Sequence, residues 1–129
     1  MPNYSYIKKS PFGFFETLDE LRIAFAQRGF WVVTNLNIAE KIQKKINPDF
    51  GEYTTLGFCS AELAYKYLSE DINLGIFMPC SVSVYEKNWE IFISAGLPEI
   101  IIEKIIENKN LKKLNLEISK NMKEIIDSI

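Results

Sequence analysis

The sequence contains no histidine and only two cysteines, Cys59 and Cys80. Without histidine the chain cannot form a Ser-His-Asp triad or a Cys-His pair, and it cannot ligate zinc or haem through an imidazole. The cysteines do not have C-x-x-C spacing, which argues against a metal site built from them and carboxylates. We therefore predict no metal and no cofactor, assign no catalytic residue, and favour a protein that is not an enzyme.

Other absences exclude further classes of protein. No apolar run approaches the roughly 20 residues that span a bilayer, and the first four residues do not begin a signal peptide. The net charge is −2 with acidic and basic residues mixed, so the field that attracts nucleic acid is missing. The segment 51–57 lacks the Lys and Ser/Thr of a phosphate-binding loop. We expect a soluble cytoplasmic protein with reduced cysteines and no membrane or nucleic-acid partner.

The composition favours a single domain over residues 1–129, because 129 residues with 47% apolar content suffice for one core and are too few for two. The predicted order is β-α-β-α-β-α-β-β-α-α, which indicates an α+β fold with helices mainly on one sheet face. The strands before the hairpin are predicted at 4–7, 30–36 and 53–59, and the helices at 14–28, 38–46, 61–70, from Pro98 through Ile106, and 111–126. Isoleucines are expected on the buried sides of the second and fourth helices, at Ile38, Ile42, Ile46, Ile101, Ile102, Ile105 and Ile106.

Two alternating runs, 75–85 and 89–95, predict a β-hairpin. With Lys87-Asn88 as the turn, the apolar pairs share one face, namely Val84 with Ile91, Val82 with Ile93, and Cys80 with Ala95. The opposite face then carries Ser83 with Phe92, Ser81 with Ser94, and Tyr85 with Glu90. Because Phe77, Tyr85 and Phe92 lie outward, this face is too apolar for plain surface and predicts a groove or a dimer contact. Helix cover over part of it is the alternative.

Several segments resemble the family called domain of unknown function 302. They are Phe14-Phe15-Glu16-Thr17, Gly29-Phe30-Trp31-Val32-Val33, Leu56-Gly57-Phe58-Cys59, the run from Gly75 to Val82, and Leu97-Pro98. The resemblance implies a curved antiparallel sheet carrying helices, of the TATA-binding-protein-like kind and often found as a dimer. It implies no activity. Where the family usually has Cys-Asn-Pro, this chain has Cys59-Ser60-Ala61, which keeps a helix cap but puts any role of the Asn amide in doubt.

Cys59 is the candidate reactive thiol, because it precedes a helix N-terminus that can stabilise a thiolate. The alternative is a small residue packed at a tight junction. Cys80 alternates in phase with the buried valines, so we expect an inert core thiol. Since Leu56 and Phe58 should face inward, Cys59 should point away from Cys80, which argues against a disulfide unless a bulge at Pro79 rotates the strand. The candidate thiol or ligand site comprises Cys59, Ser60, Pro79 and Cys80.

Two functional hypotheses follow. The first is a homodimeric binding or assembly module whose sheet face or cleft receives a partner or a small molecule. The second is a thiol-based protein in which Cys59 carries sulfur or senses an oxidant.

Overall fold

The described residues of the computed structural model, 3–106 and 108–129, form a five-stranded sheet with helices. The strands are β1 (Ser5–Lys9), β2 (Trp31–Asn37), β3 (Tyr53–Cys59), β4 (Cys80–Lys87) and β5 (Glu90–Gly96). The α-helices are α1 (Phe14–Ala26), α2 (Ile38–Lys45), α3 (Ala61–Glu70), α4 (Pro98–Ile101) and α5 (Lys109–Asp127). A 3₁₀ helix covers Ile72–Phe77. The α+β class and the element order predicted from the sequence are confirmed.

The strands are ordered β1-β5-β4-β3-β2, and every neighbouring pair is antiparallel. β1 and β2 are therefore the edges, and the hairpin strand β4 lies at the centre. β2 is irregular, because its register against β3 shifts between Val32 and Thr34, leaving Val33 unpaired. A bulge of this kind bends an edge strand and weakens it as a template for pairing with another chain.

The inner face of the sheet forms the core with α1 and α5. Its strand residues are fully buried, namely Leu56, Phe58, Val82, Val84, Ile93 and Ala95. The Phe25 ring of α1 stacks on Phe58 with 4.0 Å between ring centroids. From α5 an apolar stripe is buried, comprising Leu114, Ile118, Met122 and Ile125. Alternation along the strands and helical spacing along α5 thus direct apolar side chains into one shared core.

The helix ends follow local chemistry that the sequence displays. Gly29 adopts φ +81°, and the N–H of Phe30 donates to the Phe25 carbonyl at 3.0 Å, which ends α1 in the left-handed manner expected of glycine. The Asn37 side chain accepts from the N–H of Glu40 at 3.0 Å and begins α2. Asn108 caps α5 in the same way.

The predicted hairpin register is wrong by two residues. Val84 pairs with Ile93 and Val82 with Ala95, because the turn is Asn88-Trp89, whose φ angles are +53° and +68°. Two successive positive φ values are the mark of a type I′ turn, whose twist matches that of the strands it joins. A shift of two preserves the faces, so the inward and outward assignments of the hairpin residues hold.

The strand predicted from residue 75 is also too long. Residues 72–77 form the 3₁₀ helix, and β4 begins only at Cys80. Phe77 is therefore not on the outer sheet face; it is half-buried and packs against the core. The alternating pattern of residues 75–79 predicted a strand wrongly, because Gly75 and Pro79 both disfavour strand structure. Their neighbours pack inward without forming a strand.

Two helices bury fewer isoleucines than the sequence predicts. Ile46 follows α2 and is 82% exposed, while Ile105 lies beyond the short α4 and is 66% exposed. Among the residues predicted for these buried sides, Ile102 is buried. α2 packs beside β3 near the edge of the sheet and α4 is only four residues long, so neither has a neighbour along its whole apolar stripe.

Candidate functional site

A cavity of about 130 Å³ lies where β3 ends, β4 begins and β5 leaves the sheet. Residues of both the sheet and the helices form its wall, so the cavity lies between these two layers. The lining residues are Phe30, Phe58, Cys59, Ser60, Leu63, Ala64, Tyr67, Leu74, Phe77, Met78, Pro79, Cys80, Ser81, Gly96, Pro98, Ile101, Ile102 and Ile118. All four residues of the candidate thiol or ligand site are on this wall.

The first part of the wall is the junction between β3 and α3. Cys59 is the last residue of β3, and Ser60 is the N-cap of α3. The Ser60 hydroxyl accepts from the N–H of Leu63 at 3.5 Å, so Ser60 performs the capping role expected of the residue in place of asparagine. The Cys59 sulfur lies 3.8 Å from the Ser60 carbonyl oxygen. The tight junction therefore holds Cys59 at both the cavity and the helix N-terminus.

The second part of the wall is the approach to β4 through Met78, Pro79 and Cys80. The Met78-Pro79 peptide bond is cis, and Cys80 pairs with Phe58 of β3. A Cβ on Gly57 would lie 2.1 Å from the Thr34 hydroxyl and 2.4 Å from the Pro79 Cγ. Only glycine leaves room for the Pro79 ring to pack across β3 at this point.

Cys59 was predicted to face away from Cys80, but both residues line the same cavity. Cys59 pairs with Trp31 of β2 and lies one residue beyond the last β3–β4 pair, which is Phe58 with Cys80. Both cysteines are free thiols.

Burial, with a smaller contribution from Cys59, raises the pKa of the Cys80 thiol to about 11. Cys80 is therefore protonated at neutral pH and is a poor nucleophile. Burial also raises the pKa of Tyr67, with a smaller contribution from Cys80. Among the described residues, none of those lining the cavity is Asp, Glu, Lys or Arg. The cavity wall is an apolar environment that favours uncharged groups.

Beneath the cavity, Tyr67 of α3 donates its hydroxyl hydrogen to the Oδ1 of Asn115 on α5. Asn115 is fully buried, and its Nδ2 has no hydrogen-bond partner among the described residues. No functional role is predicted from the sequence for Tyr67, Met78 or Asn115. The one sequence signal for the Tyr67–Asn115 pair is Asn115 itself, a polar residue within the buried stripe of α5.

The outer sheet face carries an aromatic row over three strands. Tyr85 stacks on Tyr53 at 5.5 Å and on Phe92 at 5.6 Å between ring centroids. Beside this row the Thr55 and Ser83 hydroxyls are 2.8 Å apart. These side chains are half-buried, as are Ser94 and Ile7, whereas Ser81 is exposed.

Within residues 3–106 and 108–129, no three acidic or cysteine side chains are grouped so that they could share a metal ion. Across the same described residues, no helix has the length and apolar character to span a bilayer.

The geometry defines a class, an α+β protein with an open antiparallel sheet, helices on one face and an apolar cavity at the strand ends. The chain belongs to the family Domain of unknown function DUF302, whose model matches residues 6–129. Its fold is similar to the crystal structure of an uncharacterized conserved protein DUF302 from Bacillus stearothermophilus, with TM-score 0.91, 25% identity and 98% of both chains covered. No curated protein matches the chain.

Proposed function

We propose that this protein is a homodimeric, non-enzymatic binding module that takes a small apolar molecule into the cavity at the ends of β3 and β4. The cavity itself is the observation that carries the proposal. Protein interiors are close-packed, and voids larger than a water molecule are few in a domain. A space of about 130 Å³ is close to that of an engineered apolar cavity of 150 Å³ that binds benzene.

The wall indicates the chemistry of the ligand. Its side chains are mainly aliphatic and aromatic, and its polar atoms are the two thiols and the hydroxyls of Ser60, Tyr67 and Ser81. An apolar cavity with few polar groups selects an uncharged ligand and fixes its orientation through those groups. We therefore propose a small aromatic or branched aliphatic molecule without net charge.

Thermal melting with and without benzene tests the ligand site. A ligand at 100 times its Kd stabilises the folded state by about 2.7 kcal/mol, so the melting temperature should rise with benzene concentration. Ala64→Phe should fill the cavity and abolish the rise. The control Ala61→Phe changes an exposed alanine of the same helix outside the cavity and should retain it. An unchanged benzene response in Ala64→Phe would contradict the proposal.

The half-buried aromatic outer sheet face supports the homodimer. The accessible surface is 7996 Å² for a chain of 14.9 kDa, whereas a compact monomer of that mass exposes about 7,000 Å². The excess is comparable with the roughly 800 Å² that one partner contributes to an interface of standard size. The proposed contact consists of the aromatic row Tyr53-Tyr85-Phe92 and the hydroxyl-bearing residues beside it, Thr55 and Ser83. Ser81 lies at the margin of this contact.

A second candidate function is thiol chemistry at Cys59, which carries sulfur or senses an oxidant. The observation favouring it is the position of Cys59 between the α3 N-terminus and an apolar cavity. Iodoacetamide labelling between pH 6 and pH 9, mapped by mass spectrometry, should modify Cys59 first and Cys80 only after denaturation. Labelling of Cys80 first in the folded protein would contradict this assignment.

Two further properties belong to the proposal. Residues 1–129 constitute a single domain, which is supported by the one core shared by the sheet, α1 and α5 and predicts one cooperative calorimetric transition. The protein resides in the cytoplasm, which is supported by its two free thiols and tested by cell fractionation.

A further inference from the structure

We propose that the buried pair Tyr67 and Asn115 binds a hydroxyl group, so that the ligand of the cavity is a small uncharged alcohol or phenol. This ligand class rests on the proposed function, since it concerns the same cavity at the ends of β3 and β4. It adds the polar group that the ligand carries and the two side chains that recognise it. The basis is a buried amide nitrogen without a partner, next to a residue of the cavity wall.

Two connections place the Asn115 amide beside the cavity. Tyr67 lines the cavity, and its hydroxyl donates to the Asn115 Oδ1 at 2.5 Å. Because Nδ2 is bonded to the same carbon as Oδ1, it lies close to that hydroxyl as well. Ile118 of α5 also lines the cavity, and residues three apart on a helix share a face. Asn115 therefore lies on the side of α5 that faces the cavity, next to the Tyr67 hydroxyl.

The pair leaves a donor and an acceptor unused. Asn115 is completely buried, and its Nδ2 has no hydrogen-bond partner among the described residues. A buried donor without an acceptor is costly, and nearly all buried polar groups in native proteins are paired. The Tyr67 hydroxyl gives its hydrogen to Asn115, while its oxygen keeps lone pairs that can accept. Burial raises the pKa of Tyr67, so this group remains a neutral hydroxyl.

A hydroxyl group satisfies both unused positions at once. Its oxygen accepts from the Asn115 Nδ2, and its hydrogen is donated to the Tyr67 oxygen, which closes a ring of hydrogen bonds with the one already present. An ether or a carbonyl group can only accept. A carboxylate would bring a charge to a wall that has no cationic side chain among the described residues, which is costly. The aliphatic and aromatic remainder of the wall suits the apolar body of an alcohol or phenol.

Calorimetric titration of the full chain with phenol and with benzene tests the proposal. In an apolar cavity without polar partners, phenol binds less tightly than benzene because burying an unpaired hydroxyl is costly. Here we expect phenol to bind more tightly than benzene, on the order of tenfold. Phenol should also shift the NMR signal of the Asn115 side-chain amide more than benzene does. That signal is identified by its loss in Asn115→Leu.

Variants of the pair should reverse the preference. The double variant Tyr67→Phe with Asn115→Leu removes both partners with little change of volume, which can be nearly neutral for folding. It should bind benzene more tightly than phenol. Tyr67→Phe alone is the second variant, and it should lower the phenol-to-benzene affinity ratio on the order of tenfold. Tyr65→Phe is the matched control, because Tyr65 is an exposed tyrosine of the same helix outside the cavity, and it should keep the wild-type ratio.

Tighter binding of benzene than of phenol by the wild type would overturn the ligand class and leave the proposed ligand site standing. No binding of either molecule would reject the proposed ligand site itself. Ser81 supplies another hydroxyl of the wall, so Ser81→Ala is measured in parallel. Loss of the phenol preference in Ser81→Ala, with the preference retained in Tyr67→Phe, would move the recognition to Ser81 and overturn the proposal.

Discussion

The two faces of the sheet are built from the same strands and have opposite properties. Along β4, Val82 and Val84 are completely buried under the helices. Ser83 and Tyr85, which alternate with them along the strand, remain partly accessible. The inner face is closed by aliphatic packing against α1 and α5. The outer face carries a stacked aromatic row whose side chains are only half-buried.

The difference separates stability from recognition. Burying an aliphatic side chain contributes about 1.5–3 kcal/mol each, so the inner face supplies most of the free energy that holds the fold. Half-buried aromatic and hydroxyl side chains contribute less to folding and retain area for a partner. Substitutions on one face should therefore change folding, and substitutions on the other should change association.

The largest effect is expected for Val82→Asp on the inner face. An unpaired buried carboxylate costs several kcal/mol against a total stability of about 5–15 kcal/mol, so the domain should unfold. Thermal melting followed by circular dichroism measures this. Ser83→Asp, one residue along on the outer face, is the control and should remain folded. Normal melting of Val82→Asp would mean that the faces are inverted.

The next largest effect is expected for Gly57→Ala, where the outer face is locally covered. The new Cβ would lie 2.1 Å from the Thr34 hydroxyl and 2.4 Å from the Pro79 ring, and overpacking of this kind costs about 1–3 kcal/mol or more. Urea denaturation should show the loss. At Gly75 a Cβ would be 4.0 Å from its nearest neighbour, so Gly75→Ala should change stability little. Equal stabilities of the two variants would show that the Pro79 ring does not restrict the space beside Gly57.

A smaller effect on the inner face is a loss of stability at alkaline pH. Burial raises the pKa of Cys80 from 9.0 to about 11, so folding favours the neutral thiol. That contribution is complete below the unfolded pKa and is lost as the pH rises to the folded pKa. We expect the unfolding free energy to fall by about 2–3 kcal/mol between pH 9 and pH 11. Cys80→Ala should lack this part of the decline, and identical pH profiles would contradict it.

The smallest effect on folding and the clearest on association is expected for Ser83→Arg. A long charged side chain beside the aromatic row should prevent the dimer while changing monomer stability by no more than about 0.5 kcal/mol. Light scattering at micromolar protein should give the dimer mass for the wild type and the monomer mass for the variant. Ser69→Arg, at an exposed site on α3, is the control. A monomer mass for the wild type would reject the interface.

The sequence by itself determined the element order, the inward and outward sides of the hairpin and most helix ends. These features depend on local chemistry: a glycine at positive φ after α1, asparagine and serine caps, and alternation with a period of two along β4 and β5. The candidate thiol or ligand residues named from the sequence, Cys59, Ser60, Pro79 and Cys80, all lie on the cavity wall. A strand-to-helix junction and a proline before a strand are visible in the chain, whereas the cavity is not.

Only the tertiary structure decided the hairpin register, the location of Phe77 and the position of both cysteines on one cavity wall. Register depends on which two residues adopt positive φ, and Asn88-Trp89 takes that role although Lys87-Asn88 is the more polar pair. Alternation along β3 predicts that Cys59 lies on the face opposite to Phe58, yet Cys59 lines the same cavity as Cys80. Residues of the sheet, α3, α4 and α5 bound this cavity together, and such a space is a property of packing between elements rather than of any one segment.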